Sequence, residues 1–152
     1  KDSISLLSSK GFGYVYNQNI KKNREIINKY KVLIGRLVPS NGELDVNPED
    51  GYRVITNTRI IKPGEINTES YLVLGAFDSK QEVENFNNFI NLKFPRFLIR
   101  QSISSVNVTR DCFKFVPYED FTRIWTDEEL YNKYNLSQLE IDFIESNIRA
   151  VV

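Results

Sequence analysis

"SYLVLGAFDSKQEVENFNNFI", residues 70–90, changes its hydrophobic pattern halfway along. Up to Phe77 it is a short apolar and aromatic run of the kind that forms strands. From Ser79 onward Val83, Phe86, Phe89 and Ile90 recur every three or four positions, which is the stripe of a helix burying one face. Ser79 followed three residues later by Glu82 forms a capping box, so the helix begins there. With strand candidates clustered before this switch and helices after it, the chain reads as α+β: a mainly antiparallel sheet, a central helix region and a helical C-terminal lobe.

Toward the N-terminus, "GFGYVYN" (residues 11–17) is a strand between turn formers. "NIKKNREIINKYK" (residues 19–31) places Ile20, Ile26, Ile27 and Tyr30 near helical spacing and predicts a short basic helix capped by Asn19. "KVLIGRLV" (residues 31–38) is again a strand, and the turn-rich, acidic "PSNGELDVNPEDG" (residues 39–51) is a loop. "YRVITNTRII" (residues 52–61) is a further strand, separated from the run ending at Phe77 by a Pro-Gly turn in "KPGEINTE" (residues 62–69).

Toward the C-terminus, "KFPRFLIRQ" (residues 93–101) is a helix with Pro95 in its first turn, where the missing N–H does no harm and Phe94 is pushed away from helical angles. In that reading Arg96 and Arg100 share one face a turn apart, while Phe97 and Leu98 anchor the helix in the core. "TDEELYNKY" and "SQLEIDFIESNI" open on capping boxes, Thr126 with Glu129 and Ser137 with Glu140, and predict two short helices joined by a turn near Asn135.

Composition narrows the function classes. A chain of 152 residues with 41% hydrophobic content builds one core, divided into an α/β lobe over residues 1–110 and a helical lobe over 111–152. Starting at Lys1 and containing no methionine, it reads as a piece of a longer protein. A lone cysteine, Cys112, forms no internal disulfide, fits a reducing, cytoplasmic compartment and sits in an aromatic stretch as a small buried hydrophobe. Without histidine, the usual zinc sets and His-activated nucleophiles are excluded. "GFG" lacks the later glycine and the lysine of a phosphate loop, and acids such as Glu49, Asp50 and Glu65 read as solvated. No apolar run is long enough to span a membrane. No catalytic, cofactor-binding or metal-binding set is expected within this chain.

The cations are more informative. Net charge is zero, but residues 1–36 hold eight Lys/Arg against two Asp/Glu, residues 37–110 eight against nine, and residues 111–152 four against nine. Opposite poles of this kind suit either a basic face for a polyanion, with an acidic tail pointing elsewhere, or two lobes that attract each other. Candidate DNA contacts are Lys21, Lys22, Lys31, Arg36, Arg53, Arg59, Lys93, Arg96 and Arg100, with polar residues of "TNTR" (residues 56–59) available to base edges.

Three blocks then carry a resemblance: "ESYLVLGAF", "KFPRFLIRQ" and "FKFVPYEDFTRIWTDEELYNKYNLSQLEIDFIESNI". Together they resemble the C-terminal target-recognition region of type II, type IIG-like, restriction-modification adenine-specific DNA methyltransferases. The similarity runs through Phe115, Val116, Pro117, Asp120, Phe121, Trp125, Leu130, Tyr131, Leu136, Glu140, Ile141, Ile144 and Glu145, and covers residues 68–149. Pro95 departs from it, since the family pattern there reads K-F-F-R-F-L, while Lys93, Phe94, Arg96, Phe97 and Leu98 stay in register.

The resemblance implies a module that binds double-stranded DNA and orients it for a methyltransferase domain of the same polypeptide. That domain would carry S-adenosylmethionine and the N-P-P-Y motif, and the parent enzyme is in some cases fused to an endonuclease. "VNPEDGY" (residues 46–52) has Asn-Pro but no second proline, so it is not that motif. The alternative is a protein-docking module of the same kind of enzyme, with the acidic C-terminal lobe and its aromatics as the working surface. Trp125, Phe121 and Tyr131 read as core or interdomain anchors.

Overall fold

A computed structural model describes residues 2–39 and 51–151; the loop read over residues 39–51 falls almost entirely outside them, as do Glu49 and Asp50. The fold is α+β. Among the described residues, six strands form two three-stranded sheets: β1 (Ser3–Ser8), β2 (Gly11–Tyr16) and β5 (Glu65–Asn67) in the order β2-β1-β5, and β3 (Tyr30–Gly35), β4 (Arg59–Ile61) and β6 (Tyr71–Phe77) in the order β4-β3-β6. All pairings are antiparallel except β1 with β5.

Strand β3 explains why two sheets are needed. Its residues Lys31, Val32, Leu33 and Ile34 are all buried, so side chains alternating along the strand require cover on both faces. Val32 and Ile34 enter the main core under the helices, whereas Leu33 meets Leu7 of β1 and Ile61 of β4 in a second, smaller cluster.

Helix α1 (Lys80–Ile90) follows β6 as the change of period predicts, with the Ser79 side chain accepting the Glu82 N–H at 3.1 Å. Its buried Phe86 and Phe89 meet Phe121 edge-on at centroid distances of 5.0 and 5.1 Å. Asn85, also buried, donates to the Phe121 carbonyl at 3.0 Å. Helices α2 (Lys93–Arg100), α3 (Asp127–Lys133) and α4 (Gln138–Asn147) complete the main core, which runs without interruption from the sheet residues into Leu130, Ile144 and Ile148. Both predicted C-terminal capping boxes are formed, and Asn135 takes the turn between α3 and α4 at φ 54°.

Four local expectations are corrected. The basic helix over residues 19–31 is replaced by short 3-10 turns at Asn17–Asn19 and Arg24–Ile26. Asn23 between them is left-handed (φ 54°), and the Arg24 guanidinium occupies the carbonyl of Asn17 and that of Ile20, which a continuous helix would use. The strand over residues 52–61 shrinks to Arg59–Ile61, because Val54 (φ 79°) and the buried Ile55 turn the chain into the core instead. Residues 62–69 contain the expected turn at Gly64 but also β5, which borrows β1 as its partner. Pro95 is in the first turn of α2, yet Phe94 lies within the helix, which starts at Lys93.

Candidate nucleic-acid interface

Helix α2 presents a different face from the one its sequence suggests. Phe94, Pro95, Arg96 and Ile99 are buried, while Phe97, Leu98 and Arg100 are half-buried. Arg96 is fully enclosed and cannot touch DNA, which corrects its assignment as a contact. Its guanidinium donates from Nε to the carbonyls of Asn91 (3.0 Å) and Leu92 (3.2 Å), from Nη1 to Arg53 (3.1 Å) and from Nη2 to Arg149 (2.6 Å). A buried charge is tolerated only when its donors are satisfied, and four carbonyl acceptors meet that need. Burial pulls its pKa down to about 10, with Asp127 opposing and Arg53 and Arg149 adding to the shift. It therefore stays charged at neutral pH.

Asp127, the first residue of α3, does for α2 what an N-cap residue normally does. Its carboxylate accepts the main-chain N–H groups of Lys93 at 3.0 Å and Phe94 at 2.8 Å. Burial raises its pKa, against the pull of those two donors.

Two of the carbonyls that Arg96 holds, those of Arg53 and Arg149, belong to segments that pair with each other. Tyr52 N–H donates to Asn147 O at 2.6 Å, and Arg149 N–H returns to Tyr52 O at 3.2 Å. Beside this pairing lies an open, polar cleft of about 360 Å³ lined by Arg53, Asn57, Arg149, Ala150 and Val151. Among the described residues, two guanidinium groups and one amide line it, with no carboxylate. Arg53 donates to the Asn57 side-chain carbonyl. Arg100 lies over the Tyr52 ring, 3.6 Å from its centroid, one residue from Arg53 along the chain. The arrangement suits a phosphate or a base edge: arginine forks grip an anion in two places, and an amide both donates and accepts.

The other candidate cations are dispersed. Lys31 is buried, with Nζ donating to the carbonyls of Ile26 (2.7 Å), Ile27 (3.1 Å) and Lys29 (2.7 Å), so it too is corrected to a structural role. Burial draws its pKa down to about 8, with Glu65 opposing. Lys93 is paired with Glu145 at 2.6 Å, and Arg36 is turned onto the Glu69 carbonyl. Arg59 stands 5.7 Å from the Phe12 ring centroid. Lys21 and Lys22 are exposed near the N-terminal turns.

Of the predicted set, Arg53 lines the cleft and Arg100 stacks on Tyr52, the neighbour of Arg53 in sequence; Arg149 joins Arg53 in the cleft unforeseen. Arg149 lies in the acid-rich C-terminal third, where charge counting pointed away from it. Among the described residues, no group of three His, Cys, Asp or Glu side chains is placed to hold a metal ion, and no helix is long and apolar enough to cross a membrane.

Fold and cleft together define an α+β domain with an arginine-lined surface cleft. Comparison with family models, with curated proteins and with solved structures found no match to this chain.

Proposed function

We propose that this chain is a DNA target-recognition module of an adenine-N6 methyltransferase or fused restriction-modification enzyme. It holds duplex DNA while a methyltransferase domain outside this chain, supplied with S-adenosylmethionine, modifies the base. The observation that supports this reading most is the cleft lined by Arg53, Asn57 and Arg149, with Arg100 stacked on Tyr52, the residue before Arg53. The resemblance over residues 68–149 points the same way. Phosphate contacts position a duplex, and groups such as Asn57 read base edges.

Anisotropy titration of a labelled duplex at several salt concentrations tests it. Each cation that neutralises a phosphate steepens the salt dependence by about one unit of slope, so Arg53→Ala, Arg100→Ala and Arg149→Ala each flatten it by about that much. Salt-insensitive or absent binding, even with the methyltransferase portion joined, sinks the proposal.

One observation favours docking to that catalytic portion as a second reading. Phe94, Phe97 and Leu98 of α2 with Leu136, Leu139 and Phe143 line an apolar groove of about 680 Å³, in which Leu139 is 82% exposed. On that reading Leu139→Glu with Phe143→Glu abolishes association with the catalytic portion, and the three arginine variants leave DNA affinity untouched.

A further inference from the structure

Strand β2 carries an unusual surface. Among the described residues it is an edge strand, paired on one side only, with β1. Phe12, Tyr14 and Tyr16 alternate along it and so project from one face. They are 53%, 81% and 64% exposed, although aromatic rings of this size ordinarily bury most of their area. The register explains the exposure. Phe12 lies opposite Leu7, where the second sheet covers the face, but Tyr14 and Tyr16 lie opposite Ser5 and Ser3, whose side chains are too small to cover a ring.

Cations border one end of the stripe: Arg59 stands over Phe12, and Lys10 occupies the β1–β2 turn. No acid lies within β2 itself, although Glu65 of β5 neighbours Ser5. A polyanion that also offers flat apolar faces satisfies both features.

We propose that Tyr14 and Tyr16, with Phe12 beneath Arg59, form a stacking platform for unpaired bases of a single-stranded nucleic acid. Alternate residues on a strand stand about 6.7 Å apart, about twice the 3.4 Å rise per base of a stacked strand, which leaves room for a base between successive rings. Stacking of this kind tolerates any base, because every base has a π face. The platform rests on the nucleic-acid reading above and extends it from duplex to unpaired strand. In a recognition module, it would retain the locally opened strand while the arginine cleft holds the duplex.

The test uses the whole chain and three labelled probes of equal length: an oligothymidylate, an abasic oligonucleotide of the same charge, and a duplex. Wild-type protein is expected to bind the oligothymidylate at least tenfold more tightly than the abasic strand. Tyr14→Ala with Tyr16→Ala is expected to weaken oligothymidylate binding by about 20-fold or more, from the known worth of base–aromatic stacking. Duplex binding should change by less than twofold, which separates failure of the platform from failure of the duplex reading. Both tyrosines are exposed, so an unchanged circular dichroism spectrum is expected for the variant. Equal affinity for oligothymidylate and abasic strand, retention of tight oligothymidylate binding by the double variant, or a wild-type dimer that the double variant dissociates would each overturn the platform.

Discussion

Arg96 Nη2 donates to the main-chain carbonyl of Arg149 at 2.6 Å, and the same guanidinium reaches the carbonyl of Arg53 at 3.1 Å. A buried cation thereby fixes the backbone beneath two cations that face solvent in the cleft. Replacing Arg96 with Met leaves the Arg149 carbonyl without its side-chain donor and removes the cross-link between distant segments. Losing one partner of a buried charged network costs about 3–5 kcal/mol, and for a chain of this size each kcal/mol lowers the melting temperature by about 2–4 °C. Urea and thermal unfolding of Arg96→Met should show that loss. Arg96→Lys should recover little of it, since one ammonium cannot replace a planar fork bonded to four carbonyls. Arg53→Ala, by contrast, should change stability by less than about 0.5 kcal/mol.

Gly51 makes a second, sharper test of the same junction. Its φ is +85°, and a Cβ built there would lie 2.8 Å from Asn147 O, in the segment that bonds Tyr52. Gly51→Ala therefore adds left-handed strain to a backbone clash, and should cost more than about 1–2 kcal/mol. Because the clash pushes residues 147–149 away from Tyr52, duplex affinity should fall together with stability. Affinity unchanged at full stability would show that the pairing tolerates a side chain.

Lys31 predicts a pH dependence. Its folded pKa, drawn down to about 8, lies below its ordinary value of 10.5. Between those values the unfolded chain binds more protons than the folded one, so stability rises with pH across that window. Below about pH 8 the penalty of burying the charge is present in full; above about 10.5 it is gone. Lys31→Met carries no such group. Urea unfolding of both proteins at pH 7 and pH 10 should show wild type gaining on the variant at the higher pH, and a constant difference would show that the three carbonyls hold the ammonium as well as water does.

Much of the fold was legible wherever local chemistry and tertiary packing agree. The switch at Ser79, the capping boxes at Thr126 and Ser137 and the turn at Asn135 are all local signals, and all are formed. Strand β1, "SISLLS", escaped reading because its stability comes from pairing with β2 and β5 and from one buried residue, Leu7, rather than from a strongly apolar run. The site was less legible for a related reason. Two cations one turn apart suggest a shared solvent face, yet Arg96 is turned inward by carbonyls 43 and 53 residues away. Nothing in the spacing of charges separates a cation that meets carbonyls from one that meets water. Arg149 was hidden by the opposite effect, a cation among acids whose partner segment, around Tyr52, lies far off in sequence.

The two capping boxes should differ in what they hold. Thr126 accepts the Glu129 N–H at 3.2 Å while Glu129 accepts the Thr126 N–H at 2.9 Å, and Ser137 and Glu140 reciprocate in the same way at 3.3 and 2.8 Å. Loss of such a cap costs about 1 kcal/mol by itself. Beyond Ser137, α4 buries only Ile144. Beyond Thr126, however, stands Asp127, whose carboxylate caps α2, so fraying at the start of α3 also releases the N-terminus of the helix that carries Arg96. Thr126→Ala should therefore be the more destabilising substitution, by roughly a further 1 kcal/mol, the worth of a second N-cap. Trp125, the sole tryptophan, adjoins Thr126 and lies between the Arg123 guanidinium at 3.9 Å and the Lys133 ammonium at 5.1 Å, so its fluorescence reports this end of α3 directly. Urea unfolding followed by that fluorescence should place Thr126→Ala below Ser137→Ala in stability; equal losses would mean that Asp127 holds α2 without help from the cap beside it.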